Sequence, residues 1–184
     1  MIYFSEITFS HISKDDTGAI EAGHIWKFNP ATGKTTIFRS PSGMSNGIKF
    51  DAAGNMVVAE GADYGGRRVT RTDMKTGKSF IIAAMFEGRP FNAPNDITID
   101  EKGRIYFSDP RYLGWETIDQ PVMGVYRVDT DGTISRIITD GGKGLIARND
   151  GYGKVVADAS ASRADRQQMA YAYALRNATA GWTP

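Results

Sequence analysis

The chain has 184 residues, a formal net charge of +1 and no cysteine. The near-neutral charge argues against nucleic acid or an anionic membrane as a partner, and the longest apolar stretch, residues 80–86, is far too short to span a membrane. The absence of cysteine excludes disulfides, zinc thiolates and thiol nucleophiles. We therefore expect a soluble protein with no nucleic-acid or membrane partner, and the cytoplasm and the periplasm both remain open.

The first predicted element, M-I-Y-F-S-E at residues 1–6, is the closing half of a longer repeated unit. The whole unit is S-N-G-I-K-F-D-A-A-G-N-M-V-V-A-E at residues 45–60, and it returns 49 residues later as P-N-D-I-T-I-D-E-K-G-R-I-Y-F-S-D. A second arm, a hairpin rich in β-branched and aromatic residues, recurs at residues 23–38, 67–82 and 123–138. Two hairpins per period predict the four antiparallel strands of a propeller blade.

Turn chemistry supports this interpretation. Gly54, Gly103 and Gly132 stand where a tight hairpin needs a positive φ angle. We expect an all-β, incomplete β-propeller over residues 1–143, made of the end of one blade and two further blades. Because so few blades cannot close a ring, we also expect open sheet edges and self-association through them.

Residues 144–184 break the pattern. They form an Ala-rich tail with a helix predicted at residues 163–176, and Asn149-Asp150 resembles a degraded copy of the repeat. A frameshift or truncation in the coding sequence is our preferred interpretation. The alternative is an ordinary terminal helix that covers the sheet edge.

Polar residues recur at the start of the innermost strands, as Asn46-Gly47 and as Asn95-Asp96. Inner strands line the channel of a propeller, so these side chains should converge on one axis. Amide and carboxylate oxygens suit a hard cation such as Ca²⁺, which takes six to eight oxygen ligands. Turn formation alone would also account for Asn-Gly. We expect Asn95 to bind metal, and Asp96 and Asn46 to bind substrate.

Charged residues follow the second strand of each unit. Glu6, Glu60 and Asp109 occupy equivalent positions, which favours a structural role before a ligand role. Arg67 and Arg68 follow Glu60 and could meet an anionic substrate at the channel mouth. The alternative is that both arginines are strand-edge charges in water. We include Arg68 among the candidate substrate-binding residues.

The string F-E-G-R-P-F-N-A-P-N-D-I-T-I-D-E-K-G-R-I-Y-F-S-D-P-R-Y and the unit before it strongly resemble the senescence marker protein/gluconolactonase/luciferin-regenerating-enzyme family, in its bacterial gluconolactonase-like branch. The resemblance covers about residues 1–140. It implies a six-bladed propeller with a divalent metal, most often Ca²⁺, in the channel, and hydrolysis of small sugar lactones. It also implies that Asn95 contacts metal or substrate and that Asp96 belongs to the same shell.

The sequence departs from the family at several functional positions. An arginine that some members carry two residues before the channel asparagine is Ala93 here. The family's glutamate ligand precedes the first strand of this chain, and its later asparagine and aspartate ligands fall beyond Asp140, where the pattern breaks. That aspartate is the expected general base, so its identity is unknown in this chain.

Two functions follow as hypotheses. In the first, the parent protein is a metal-dependent lactonase, and this chain is its amino-terminal part and is inactive alone. In the second, it is a non-catalytic propeller that serves as a binding or scaffold module. The sequence does not separate lactones from related substrates such as phosphotriesters.

Overall fold

The computed structural model describes residues 1–8, 14–111 and 114–138. The described chain is all-β, with strands at β1 Ile2–Glu6, β2 His24–Asn29, β3 Lys34–Arg39, β4 Ser45–Phe50, β5 Met56–Glu60, β6 Arg68–Thr72, β7 Ser79–Ala83, β8 Met85–Phe86, β9 Arg89–Pro90, β10 Ile97–Ile99, β11 Ile105–Ser108, β12 Val125–Val128 and β13 Ile134–Ile138. No helix in this described part could span a membrane.

These strands form three consecutive antiparallel sheets. The first has the order β1-β2-β3, the second β4-β5-β6-β7 and the third β10-β11-β12-β13, and a short hairpin β8-β9 links the second to the third. The two repeated units thus each form a four-stranded antiparallel sheet, and the segment before them forms a three-stranded one. The predicted tail, with its helix and Asn149-Asp150, lies outside the described residues.

Glycines make the predicted turns. Gly54, Gly103 and Gly132 have φ angles of 80°, 79° and 86°, in the left-handed region that side chains disfavour. Each of the three turns begins with an aspartate, and the carbonyl oxygen of that aspartate accepts the N–H of the glycine three residues later. The repeat therefore encodes its own hairpins.

The repeat also sets which side chains face the neighbouring sheet. Met56 and Val58 of β5 are fully buried and pack with Ile25 of the first sheet. The equivalent residues of β11, Ile105 and Phe107, are 3% and 1% exposed and pack on the second sheet. Phe91 and Tyr126 complete the second contact, with ring centroids 4.9 Å apart in an edge-to-face arrangement. The alternation of side chains along β5 and its equivalent β11 thus places alternate residues in the two cores between the sheets.

The same alternation leaves one face uncovered. Ile2 and Phe4, the equivalents of Ile105 and Phe107, are 54% and 44% exposed on the outer face of the first sheet. Trp26 and Phe28, opposite them on β2, are half-buried. Phe50, at the end of β4, is 45% exposed and is not part of a sheet-to-sheet core.

Candidate functional site

The end of β1 contacts the start of β4, and the start of β4 contacts the segment that leads into β10. The N–H of Gly47 donates to the carbonyl oxygen of Asn95 at 2.7 Å, and the Ser5 hydroxyl donates to the carbonyl oxygen of Asn46 at 2.8 Å. A Cβ at Gly47 would lie 2.8 Å from the nitrogen of Ile97, so only glycine allows this close contact. We call this end of the sheets the mouth; it comprises residues 43–47, 61–67, 91–96 and 114–124.

Asn95 has a fixed backbone and an available side chain. Its N–H donates to the carbonyl oxygen of Ser108 at 2.9 Å, and its own carbonyl accepts from Gly47. The Asn95 side chain is half-buried and makes no hydrogen bond to any residue that the structure describes. The same holds for the side chain of Asn46 within the described residues. Both amides are therefore available to a ligand at the mouth.

Asp96 is more engaged. Its N–H donates to the Ser108 hydroxyl at 3.2 Å, and its Oδ1 accepts the N–H of Ile97 at 2.9 Å. One carboxylate oxygen thus caps the start of β10. The structure therefore places Asn46, Asn95 and Asp96 at the same end of adjacent sheets, as the sequence indicated.

The polar side chains at the mouth can be compared with the ligands that a hard cation needs. Asn46, Asn95 and Asp96 offer amide and carboxylate oxygens, the ligand type that Ca²⁺ prefers. They number three, against the six to eight oxygens that Ca²⁺ takes. Among the described residues no group of three or more His, Asp or Glu could hold a metal ion. The described residues therefore fit as part of a ligand set, which other residues or water would complete.

A buried carboxylate holds the segment that leads to Asn95. Asp109 is fully buried, and its two oxygens accept the N–H groups of Asn92 at 2.9 Å and Ala93 at 2.7 Å. Burial raises the pKa of Asp109 to about 6, against the opposing effect of these two hydrogen bonds. Asp109 therefore has the structural role that its repeat position indicated.

Glu60, the equivalent residue of the second sheet, is held by cations instead. The Arg39 guanidinium pairs with Glu60 Oε1, Arg68 Nε donates to Oε2 at 2.8 Å, and the Thr70 hydroxyl donates to Oε1 at 2.8 Å. The Nε of Arg68 is thus engaged with the buried carboxylate of Glu60. Its side chain is 36% exposed, and its predicted contact with substrate stays a prediction.

Arg67 serves the mouth in a way that the sequence did not indicate. Its Nε donates to the carbonyl oxygens of Phe91 at 2.8 Å and Asn92 at 3.2 Å, and its Nη2 donates to Asp119 at 2.6 Å. That hydrogen bond holds the pKa of Asp119 below its ordinary value. With a side chain only 14% exposed, Arg67 is neither a strand-edge charge in water nor a free cation for an anionic substrate.

A reciprocal contact runs from the third sheet back to the second. Glu116 accepts the N–H groups of Asp63 at 3.2 Å and Tyr64 at 2.7 Å, while Arg111 donates to the backbone and side chain of Glu116. Arg67 and Glu116 therefore clamp residues 61–67 to the third sheet from both directions. Neither partnership has a sequence signal, since the residues joined stand 52 positions apart.

These consecutive antiparallel sheets define a β-propeller-type protein. The family model described as SMP-30/Gluconolactonase/LRE-like region matches residues 19–178. The chain belongs to that family. The match extends beyond residue 140, where the resemblance visible in the repeats ends, and into the predicted tail.

Individual relatives agree. The chain is 33% identical over 106 residues to a gluconolactonase from Zymomonas mobilis, covering 54% of this chain and 28% of that protein. A structural-genomics structure named as a candidate gluconolactonase superposes with a TM-score of 0.57 at 30% identity, covering 64% of this chain and 41% of that one. A gluconolactonase from Xanthomonas campestris, at 23% identity and a TM-score of 0.57 over 63% of this chain and 40% of that one, shares the fold. This chain thus spans less than half the length of these relatives.

Proposed function

We propose that the protein to which these sheets belong is a metal-dependent lactonase, a hydrolase that opens small sugar lactones to hydroxy acids. The observation that supports it best is the half-buried amide of Asn95 at the mouth, which makes no hydrogen bond to the described residues, in a chain that belongs to the gluconolactonase-like family. In the reaction, water adds to the lactone carbonyl, the ring C–O bond breaks, and the ring oxygen takes a proton.

Asn95 would hold the cation, most suitably Ca²⁺, and Asp96 and Asn46, from adjacent sheets, would contact the substrate. A divalent cation bound there supplies Lewis-acid polarisation of the carbonyl oxygen. Asn95 is suited to this role because its backbone is fixed by Ser108 and Gly47, so its amide is oriented before the ligand arrives. Pre-organisation of this kind lowers the cost of binding.

At the mouth, the carboxylates of Glu116 and Asp119 are bound to protein donors in the part of the chain that the structure describes. Asp109 has a raised pKa, but both of its oxygens accept backbone N–H groups. We therefore assign the activation of water to a residue outside the described part of the chain. With only part of the ligand set among those residues, we expect the 184-residue chain by itself to be inactive.

The test is hydrolysis of D-glucono-1,5-lactone by the full-length protein, followed by acid release in a pH-stat against the spontaneous rate. We expect activity that a chelator abolishes and added Ca²⁺ restores. Activity that is indifferent to the chelator would contradict the metal. Lactone binding without any hydrolysis would favour the alternative, a non-catalytic binding module.

A further inference from the structure

Two aromatic side chains project into solvent at the mouth, one from the loop of residues 61–67 and one from the loop of the third sheet that contacts it. Tyr64 of the loop after β5 is 63% exposed, and Trp115 of the loop after β11 is 76% exposed. Glu116, the neighbour of Trp115, accepts the N–H of Tyr64 at 2.7 Å. Gly114, on the other side of Trp115, would place a Cβ 2.8 Å from the nitrogen of Asp63. The backbones that carry the two rings are therefore held together.

The loop that presents Tyr64 is strained. Asp63 and Tyr64 are consecutive residues with φ angles of 66° and 67°, a conformation that residues other than glycine rarely adopt. It persists because both N–H groups point at the Glu116 carboxylate. Backbone strain that a neighbouring group maintains is concentrated at ligand-binding sites. Nothing in the packing of the described sheets requires Tyr64 to be exposed in this way.

The loop also lies against the segment that carries Asn95. At its beginning, a Cβ on Gly61 would lie 3.6 Å from the carbonyl oxygen of Pro94. At its end, Arg67 binds the carbonyl oxygens of Phe91 and Asn92. In the sequence, Tyr64 thus lies between Gly61 and Arg67, the two residues of the loop that approach residues 91–94. Residues 91–94 directly precede Asn95 and Asp96 in the chain.

The charges at the mouth indicate what kind of ligand fits. Arg67 donates to two carbonyls and to Asp119. Arg111, whose side chain is only 7% exposed, donates to Asn92 and Glu116. A phosphorylated or otherwise anionic sugar would therefore find neither of these two guanidinium groups free. The arrangement favours a neutral ring.

We propose that Tyr64 and Trp115 form an aromatic rim that binds the C–H face of a neutral pyranose ring. The faces of aromatic rings are electron-rich and attract the electron-poor C–H groups of a sugar. The hydroxyl groups of the same ring would be directed to the polar side chains of Asn95 and Asp96. The proposal rests on the proposed function and narrows its substrates to unphosphorylated sugar lactones.

The experiment is saturation-transfer NMR on the full 184-residue chain with methyl β-D-glucopyranoside as the probe and a chelator present. This probe has no lactone and the chelator removes metal, so binding here is independent of catalysis. Trp115→Ala and Tyr64→Asn remove the rings, and asparagine tolerates the left-handed backbone at residue 64. Phe80→Ala, at a 57% exposed aromatic on the outer strand β7, is the matched control.

We expect the wild type and Phe80→Ala to bind the probe with equal affinity, and the two rim variants to bind at least tenfold more weakly while keeping the wild-type melting temperature. D-Glucose 6-phosphate should bind no better than the neutral probe. The proposed rim would be overturned if the two rim variants bound the probe as tightly as the wild type, or if the wild type did not bind the probe. Tighter binding of D-glucose 6-phosphate than of the neutral probe would overturn it as well. Failure of the full-length protein to hydrolyse lactones, with ring binding intact, would refute the proposed function alone.

Discussion

Glu60 and Asp109 occupy the same place in successive repeats, and the protein stabilises them in different ways. Both carboxylates are completely buried at the end of the second strand of their sheet. Glu60 lies between two arginines and a threonine hydroxyl. Asp109 lies against two backbone N–H groups. The same repeat position therefore holds a buried carboxylate that is stabilised by arginine side chains in one sheet and by backbone N–H groups in the next.

The difference matters because of what each residue holds in place. Glu60 joins Arg39 of the first sheet to Arg68 of the second, so it connects two sheets. Asp109 holds the backbone of Asn92 and Ala93, so it orders the segment that leads to Asn95. A buried ion pair that loses one partner leaves an uncompensated charge, whereas a lost backbone contact leaves unpaired amides. The two sites should therefore respond differently to substitution.

The largest effect should follow from Glu60→Ala. Arg39, with a 17% exposed side chain, and Arg68 would lose their common counter-charge. We expect the free energy of unfolding to fall by about 3–5 kcal/mol, measured by urea denaturation. Glu101→Ala, at an exposed turn position, is the control and should change it little. A loss below about 1 kcal/mol would show that the two arginines find water or other partners.

The pH dependence of stability reports on Asp109. The pKa of Asp109 is raised to about 6, above its unfolded value of about 3.9, so the folded state binds the extra proton between these values. The contribution of Asp109 is fully present below about pH 4 and is lost as the pH rises through about 6. Relative to Asp109→Asn, the wild type should lose roughly 3 kcal/mol of unfolding free energy across this window. A constant difference between the two proteins would contradict the raised pKa.

Asp109→Ala should have a smaller and more local effect. It leaves the N–H groups of Asn92 and Ala93 buried without acceptors, a cost of about 2 kcal/mol. Hydrogen exchange at these two amides should accelerate, while the hairpin turn at Gly54 in the second sheet, away from the mouth, keeps wild-type exchange. Faster exchange throughout the described sheets would instead indicate a global loss of stability.

The smallest effect belongs to Glu6, the third equivalent carboxylate. Its side chain is 45% exposed on the uncovered face of the first sheet, where Trp26 Nε1 donates to it at 2.5 Å. We expect Glu6→Gln to change the free energy of unfolding by less than about 0.5 kcal/mol. A change as large as that of Glu60→Ala would mean that another surface covers Glu6 in solution.

The repeat made much of this predictable. Two units 49 residues apart were enough to predict the four-stranded sheets, the glycine turns and the position of Asn95 and Asp96. What the repeat does not contain could not be predicted. Glu116 binds a backbone 52 residues away, in a loop that has no counterpart in the preceding unit. The sequence pattern also does not distinguish Phe107, which is buried, from Phe4, which is exposed. The two residues occupy the same position of the repeat, but only Phe107 has a neighbouring sheet to pack against among the described residues.

The direct test of the account is the role of Asn95 at the mouth. We would measure Ca²⁺-dependent hydrolysis of D-glucono-1,5-lactone by the full-length protein with Asn95→Ala, and with Asn55→Ala as the control. Asn55 lies in the turn after β4, where its side chain binds Asp51, at the opposite end of the strand from the mouth. We predict that Asn95→Ala lowers kcat/KM at least a hundredfold and raises the Ca²⁺ requirement, while Asn55→Ala keeps wild-type kinetics. Equal activity of the two variants would contradict the placement of the functional site at Asn95.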